Sequence, residues 1–272
     1  MTIKGTSSSK ESNIHANQAM KAGEKMKIFD SHLHIIDKRY PLFENHGFVP
    51  ASFTPKDYLQ TVKNINVIGG AIVSGSFQGF DQSYLIDSLK TLGDHFVGVT
   101  QLSYNTPDEE ILALDKYGVK AIRFNVNRGG SENISHLDYM ARRVYELVNW
   151  HTELYINSNS LPEIATTVEK LPAVSIDHLG LSKRGLPNLL SLVNKGVKVK
   201  ATGFGRVDFD VAEAIKQIYS INPDALMFGT DLPSTRAKRP FYLSDIDLIH
   251  NSLGEARAKK VLYKNAHDWY LK

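Results

Sequence analysis

Two histidines and an aspartate lie close together near the start of the chain, in the run Asp30-Ser31-His32-Leu33-His34. The mainly apolar residues 26–29 precede them and predict a β-strand. Side chains two positions apart share a face of a strand, so we expect Asp30, His32 and His34 to point the same way. Such a set could hold a divalent metal ion or, without an ion, form a hydrogen-bonded acid/base cluster.

The composition limits what else this cluster could be. The chain has 272 residues, of which 42% are hydrophobic, so it can bury a substantial core. It has no cysteine, which excludes disulfides, thiolate zinc sites and thiol nucleophiles. Any metal ion must therefore be held by histidine, carboxylate or water ligands. The net charge of +3 is weak and like charges do not form long runs, so we expect no nucleic acid partner.

The first 25 residues differ in character from the rest of the chain. They are polar and lack the apolar segment of a signal peptide. We expect residues 1–25 to form a flexible N-terminal arm and residues 26–272 to form a single domain. No apolar stretch approaches the roughly 18 residues needed to span a bilayer, so we expect a cytoplasmic protein with no membrane partner.

Short β-rich runs alternate with longer amphipathic stretches over residues 26–272, which is the pattern of parallel βα units. Helix starts are marked by capping residues, early prolines or first-turn acids, as in Thr54-Pro55 and Leu161-Pro162-Glu163. Eight strand–helix pairs at this length predict an α/β protein with the (β/α)8 TIM barrel fold. The predicted strands cover residues 27–30, 68–74, 96–102, 119–125, 153–157, 174–178, 197–202 and 226–231.

The active site of such a barrel lies at the carboxyl ends of its strands. Buried strands have no packing reason to end in polar residues, and yet all eight do. One such residue alone is readily explained as a turn or a helix cap, but a coincidence on every strand is not. At or just beyond the ends of the second to eighth predicted strands, the polar residues are Ser74, Ser76, Gln101, Ser103, Arg123, Asn125, Arg128, Asn157, Asp177, His178, Thr202, Arg206 and Asp231.

Three motifs in this order resemble the amidohydrolase superfamily: the Asp30 to His34 run, Asp177-His178-Leu179-Gly180, and Gly229-Thr230-Asp231-Leu232-Pro233. More narrowly, they are similar to the "amidohydrolase 2" branch, which includes 2-pyrone-4,6-dicarboxylate hydrolase and the sugar lactonases. Arg123-Phe124-Asn125 and the closing Asn265-Ala266 extend the similarity, so that it covers nearly all of residues 26–272.

The resemblance also raises the question of a metal ion. Dinuclear members of the superfamily have a bridging carboxylated lysine on the fourth strand and a histidine at the end of the fifth. Here Arg123 and Asn157 take those places, so we expect no two-metal mechanism. The set His32, His34, His178 and Asp231 could bind one divalent ion, zinc or manganese, with water in an open position. Because arginines disfavour a nearby dication, and because the branch includes members that work without metal, we expect no obligatory metal.

The resemblance implies the opening of a lactone ring by water. Asp231 is the expected base that activates the water, and His32, His34 and His178 are expected to polarise the carbonyl group. Asp30 would orient the histidines.

Arginines indicate the class of substrate. Arg123, Arg128 and Arg206 would bind carboxylate, with Ser76 and Asn157 completing the substrate-binding set. Arg236 and Lys183 could contribute, although loop charges of this kind are more often solvated. The expected substrate is therefore a small acidic or sugar-acid lactone, and residues 35–53 are long enough to form a lid.

Two alternatives remain open. One is a metal-dependent decarboxylase or amidohydrolase of the same superfamily, with one ion on His32, His34, His178 and Asp231. The other is a barrel that binds a small acid without converting it.

Overall fold

The structure is a computed structural model that describes residues 26–272; the predicted N-terminal arm lies outside the described residues. Eight strands form one sheet, in which each strand pairs in parallel with the next strand along the chain. The predicted (β/α)8 TIM barrel is therefore confirmed. The strands are β1 (Lys27–Leu33), β2 (Asn66–Val73), β3 (Phe96–Thr100), β4 (Val119–Asn125), β5 (His151–Tyr155), β6 (Val174–Ile176), β7 (Lys198–Ala201) and β8 (Leu226–Phe228).

Helices follow the strands, as the alternating pattern predicts. The helix after β1 begins with a capping box, in which Thr54 accepts from the backbone N–H of Asp57 and the Asp57 carboxylate accepts from that of Thr54. A π-helical turn, Lys260–Lys264, separates the last two helices. The helices are α1 (Pro55–Val62), α2 (Ser83–Leu92), α3 (Asp108–Lys116), α4 (Leu137–Val148), α5 (Leu161–Val168), α6 (Leu186–Asn194), α7 (Val211–Ile221), α8 (Ser244–Leu253), α9 (Glu255–Lys259) and α10 (Asn265–Leu271).

Several strands end earlier than the sequence pattern predicts. β6 ends at Ile176 and β8 at Phe228, so the polar residues that follow lie in loops and not in the strands. His178 and Asp231 have positive φ angles of 52° and 61°, which extended strands do not accommodate. A non-glycine residue in this conformation is held there by its surroundings, and such residues cluster at functional sites.

Two groups of apolar residues hold the barrel together. One lies between the outer face of the strands and the helices. The other lies inside the barrel, where Phe29, Val73 and Val99 pack against Ala266 and Tyr270. The last two residues belong to α10, which covers one end of the barrel. Just beyond β8, the backbone N–H of Asp231 donates to the carbonyl of His32 at 2.7 Å. This bond helps to close the seam between β8 and β1 and places their ends side by side.

No helix within residues 26–272 has both the length and the apolar character that a membrane span requires.

Candidate active site

A bulge in β1 separates Asp30 from the two histidines. Asp30 and Leu33 are three residues apart on β1, but the residues with which they pair on β2 are only two apart. An inserted residue turns the side chains that follow to the other face of the strand. His32 and His34 point towards the barrel interior, whereas the carboxylate of Asp30 points to Tyr58 on α1. The prediction that all three side chains share one face is therefore wrong for Asp30.

Asp30 secures the loop that carries Asp231. Its carboxylate accepts from the backbone N–H of Thr230 at 2.8 Å, from the Thr230 hydroxyl at 2.6 Å and from the Tyr58 hydroxyl at 2.9 Å. Burial raises the pKa of Asp30 to about 6, although these hydrogen bonds oppose the rise. The backbone N–H of His32 also donates to this carboxylate, at 3.3 Å. None of these donors is an imidazole ring, and the role of Asp30 in orienting the histidines stays a prediction.

His32, His178 and Asp231 come together from three different loops and strands, as predicted. One ring nitrogen of each histidine and one carboxylate oxygen of Asp231 lie within 4.8 Å of one another, and all three residues are buried. Among residues 26–272, Nε2 of His32, Nδ1 of His178 and Oδ1 of Asp231 have no hydrogen-bond partner. Buried polar atoms are almost always paired, so an unpaired group of this kind marks a place for a ligand.

The contacts of the two β1 histidines indicate where their protons lie. Nδ1 of His34 is 2.7 Å from the carbonyl oxygen of Val73, which can only accept, so Nδ1 carries the proton. Nδ1 of His32 faces Oδ1 of Asp177 at 3.5 Å. In a neutral ring with Nδ1 protonated, Nε2 has a lone pair. Nε2 of His34 lies 3.8 Å from Oδ1 of Asp231, so two acceptors face each other there.

The electrostatic surroundings keep the rings neutral and the aspartate ionised. Burial lowers the pKa of His178 to about 3, and burial together with nearby Lys200 holds the pKa of His32 well below its usual value. Burial alone would raise the pKa of Asp231. The guanidinium of Arg206 outweighs that effect, since its Nε donates to Oδ2 of Asp231 at 2.7 Å, and it holds the pKa well below its usual range.

The convergent atoms fit one divalent metal ion. Imidazole nitrogens and a carboxylate oxygen are suitable donors for zinc or manganese, and each of the three buried residues can offer one such atom to the same point. His34, the fourth predicted ligand, lies beside this group, with its ring centroid 5.0 Å from that of His32. Arg123, which takes the place of the bridging lysine in the family resemblance, is bound to Asp177. The expectation that no metal is obligatory stays a prediction.

A network of buried charges lies beneath the site. Nζ of Lys200 on β7 lies 2.5 Å from Oε2 of Glu153 on β5 and 3.9 Å from Oδ1 of Asp177. The Glu153 carboxylate also accepts from the hydroxyl of Tyr270 at 2.5 Å. We did not predict Lys200 or Glu153 as part of the site. The available signal was a charged residue inside each of two otherwise buried strands.

The four arginines near the site fall into two classes. Arg123 donates from Nε and Nη2 to Asp177, and Arg206 donates to Asp231, so both are paired with buried acids. Arg128 and Arg236 have no carboxylate partner among the described residues. The predicted carboxylate ligands Arg123 and Arg206 are thus already engaged, whereas Arg236, which the sequence suggested to be solvated, lines the pocket.

Two adjoining cavities form the pocket, and Arg128, Tyr155, Arg206 and Arg236 line both. The inner one, of about 20 Å³, reaches His34 and His178. The outer one, of about 290 Å³, has the size of a small-molecule site. Tyr155 was not predicted; it ends β5, and its ring lies 4.9 Å from that of His178.

The remaining predicted substrate ligands have contacts of their own. The Ser76 hydroxyl donates to Oδ1 of Asn45 and accepts from Nη2 of Arg236, so its hydrogen bonds are made with neighbouring side chains. Asn157 lines the outer cavity, and its Oδ1 accepts from the backbone N–H of Asn159. Lys183 is exposed and lines neither cavity.

Comparison with known proteins agrees with this architecture. The family model described as "Amidohydrolase" matches residues 29–271. A 2-pyrone-4,6-dicarboxylate hydrolase from Comamonas testosteroni is 22% identical over 237 residues, which are 77% of each chain.

Solved structures share the fold at low identity. A probable 2-pyrone-4,6-dicarboxylic acid hydrolase from Acinetobacter baumannii, solved with citric acid bound, has a TM-score of 0.78 at 20% identity and covers 89% of this chain and 98% of its own. A β-aspartyl dipeptidase from Fervidobacterium islandicum, in complex with a β-Asp-Leu dipeptide, has a TM-score of 0.65 at 15% identity, covering 90% and 74%.

Proposed function

The chain belongs to the amidohydrolase family, and from that premise we propose that it hydrolyses a small lactone bearing at least one carboxylate. One observation carries the proposal: the unpaired ring of His178 lines a pocket with two guanidinium groups that have no acid partner among residues 26–272, and Asp231, whose Oδ1 is free, is bound to Arg206 of the same pocket. Those guanidinium groups favour an anionic ligand. A relative that is a lactone hydrolase, and a similar structure that holds citric acid, agree with this substrate class.

In the proposed reaction Asp231 acts as the base. It takes a proton from water while the water oxygen bonds to the carbonyl carbon of the lactone. The ring C–O bond then breaks, and the leaving oxygen takes the proton back from Asp231. The new carboxylic acid loses its proton to solvent. The products are a ring-opened hydroxy carboxylate and one proton, and Asp231 returns to its ionised form.

His178 is the ring that we assign to the carbonyl oxygen. A neutral imidazole has one N–H, which the Val73 carbonyl places at Nδ1 in His34; in His32 we also assign it to Nδ1, which faces the Asp177 carboxylate at 3.5 Å. His178 has no partner at Nδ1 and can donate to the oxygen as it becomes negative. We infer that His32 and His34 polarise the substrate only when Nε2 carries a proton; in the metal-dependent candidate, His32 would instead help to hold the ion.

Arg206 links substrate binding to the base. Its Nε is bound to Asp231 and its Nη2 donates to the carbonyl of Thr235 at 2.9 Å, which fixes the guanidinium beside the pocket. Of the three predicted carboxylate ligands, Arg123 and Arg206 are bound to acids of the chain, whereas Arg128 has no acid partner among residues 26–272. We propose that Arg128 binds the substrate carboxylate and that Arg206 keeps Asp231 ionised and correctly oriented.

A metal-dependent hydrolase or decarboxylase is the second candidate function. The observation that favours it is the close approach of ring nitrogens of His32 and His178 to a carboxylate oxygen of Asp231; these residues would hold the ion. A bound divalent ion would supply Lewis-acid polarisation of the carbonyl group and of water.

A screen of the purified protein tests these candidates. Sugar lactones and carboxylated lactones are incubated with the enzyme, with and without a chelator, and acid release is followed. We expect hydrolysis of carboxylated lactones that the chelator does not affect. Loss of activity together with loss of a stoichiometric ion, measured by elemental analysis, would favour the metal-dependent candidate. Binding of carboxylates without hydrolysis of any lactone would favour the non-catalytic alternative.

A further inference from the structure

Arg236 is held in the pocket by neutral partners. Its Nη1 donates to the side-chain oxygen of Asn45 at 3.0 Å and to the backbone carbonyl of Asn45 at 3.3 Å. Its Nη2 donates to the Ser76 hydroxyl at 2.8 Å, and its guanidinium carbon lies 4.6 Å from the centre of the Phe48 ring. These contacts fix the orientation of the guanidinium without neutralising its charge.

One edge of this guanidinium is free to bind a ligand. Asn45 and Ser76 are hydrogen-bonded to each other at 3.1 Å, so they occupy the edge formed by Nη1 and Nη2 together. No acceptor for Nε of Arg236 is found among residues 26–272. The edge formed by Nε and the second hydrogen of Nη2 is therefore available, and this pair of parallel N–H groups matches a carboxylate. In Arg123 the same edge is bound to Asp177.

The pocket around Arg236 favours an anion. Arg128 lies close enough to lower the pKa of Arg236, in addition to the larger lowering caused by burial. Neither arginine has an acidic partner within the described part of the chain, and four basic residues (Arg128, Arg206, Arg236 and Lys238) line the outer cavity against one acid, Asp208. An anion between Arg128 and Arg236 would relieve their repulsion.

We propose that Arg236 is a substrate-binding residue, whose free edge takes an acidic group of the substrate and which Asn45 and Ser76 hold in place. This inference rests on the proposed function only in assuming that the acid it binds belongs to a substrate. The loop after β8 thereby becomes part of the specificity for an acidic group. Arg236 is not one of the arginines that the family resemblance indicates. It also gives the β1–α1 loop a part in recognition, because Asn45 belongs to that loop.

Three variants test the proposal, with citrate as the probe and calorimetry as the equilibrium measurement. Arg236→Gln removes the charge and the free edge, and we expect the Kd for citrate to rise about 10- to 100-fold. Asn45→Asp places a carboxylate beside Nη1 with little change of shape, and we expect a rise of about 10-fold because the guanidinium becomes paired. The control is Arg184→Gln, which removes an exposed arginine that lines neither cavity and should leave the Kd unchanged.

The same variants separate this inference from the proposed function. On a carboxylated lactone that the wild type hydrolyses, we expect Arg236→Gln and Asn45→Asp to raise KM by similar factors and to change kcat little. If the wild type hydrolyses the lactone but both variants keep the wild-type KM and the wild-type Kd for citrate, the assignment of Arg236 is wrong and the function stands. If citrate binding depends on Arg236 but no lactone is hydrolysed, the assignment stands and the proposed function is wrong.

Discussion

The buried lysine beneath the site, Lys200, gives the sharpest test of the charge network. Its side chain is fully buried and lies between the carboxylates of Glu153 and Asp177. Arg123 supplies the second positive charge, through Asp177, so two cations balance two anions. Lys200→Met has a similar volume and removes one cation, which leaves one buried negative charge without compensation.

We expect Lys200→Met to lower the free energy of unfolding at pH 7 by about 3–5 kcal/mol, the usual cost of removing one partner from a buried ion pair. The loss should depend on pH. Burial alone would raise the pKa of Glu153, and in the wild type Lys200 outweighs burial and lowers it. Without Lys200 the folded-state pKa of Glu153 lies above its unfolded value. The variant therefore loses further stability as pH rises above that unfolded value, and its deficit should be smaller at pH 5 than at pH 8.

Urea denaturation of four proteins measures this effect: wild type, Lys200→Met, Glu153→Gln and the double variant. Glu153→Gln keeps an oxygen for the Tyr270 hydroxyl. The double variant should therefore be at least about 2 kcal/mol more stable than the sum of the two single losses predicts. Lys216→Met, at an exposed position, is the control and should change stability by less than about 0.5 kcal/mol. If Lys200→Met lowers the free energy of unfolding by less than about 1 kcal/mol, the balance of two cations and two anions is refuted. A double variant whose loss equals the sum of the two single losses would refute it as well.

Three other predictions concern the reacting groups. Asp231→Asn should lower kcat by about 10²-fold or more because the base is lost, whereas the exposed Asp247→Asn should not; equal activity of both variants would exclude Asp231 as the base. Arg206→Gln should move the acid limb of kcat/KM to higher pH, since the largest effect that opposes burial at Asp231 is then lost and the pKa of Asp231 rises; an unmoved limb in pH–rate profiles would contradict the role of Arg206. Gly203→Ala would place a methyl group 2.6 Å from Nδ1 of His178 at a φ of +61°, and should cost about 1–3 kcal/mol in denaturation and also lower kcat; a fully stable, active variant would contradict this geometry.

Much of the fold follows from local sequence signals. Eight β-rich runs, alternating with capped helices, were enough to predict the barrel and the order of its strands. The convergence of His32, His178 and Asp231 also follows, because the strand ends of a parallel barrel meet at one face. These features depend on hydrophobic periodicity and chain order, which are local properties of the sequence.

Other features depend on contacts between distant parts of the chain. The bulge that turns Asp30 away from His32 is set by pairing with β2, and the strand itself gives no sign of it. The pairing of Arg123 with Asp177 joins β4 to the loop after β6. The position of Arg236 depends on Asn45, which is 191 residues away in the sequence. Propensity and spacing cannot supply such partners.

The measurement that tests the central claim most directly is kcat/KM on a matched pair of substrates: a lactone with a free carboxylate and the same lactone as its methyl ester. Acid release on ring opening is followed for the purified protein at neutral pH. Because two guanidinium groups of the pocket have no acidic partner among residues 26–272, we predict that the free acid is preferred by about 10²-fold. Equal rates, a preference for the ester, or no hydrolysis of either lactone would contradict the proposed function.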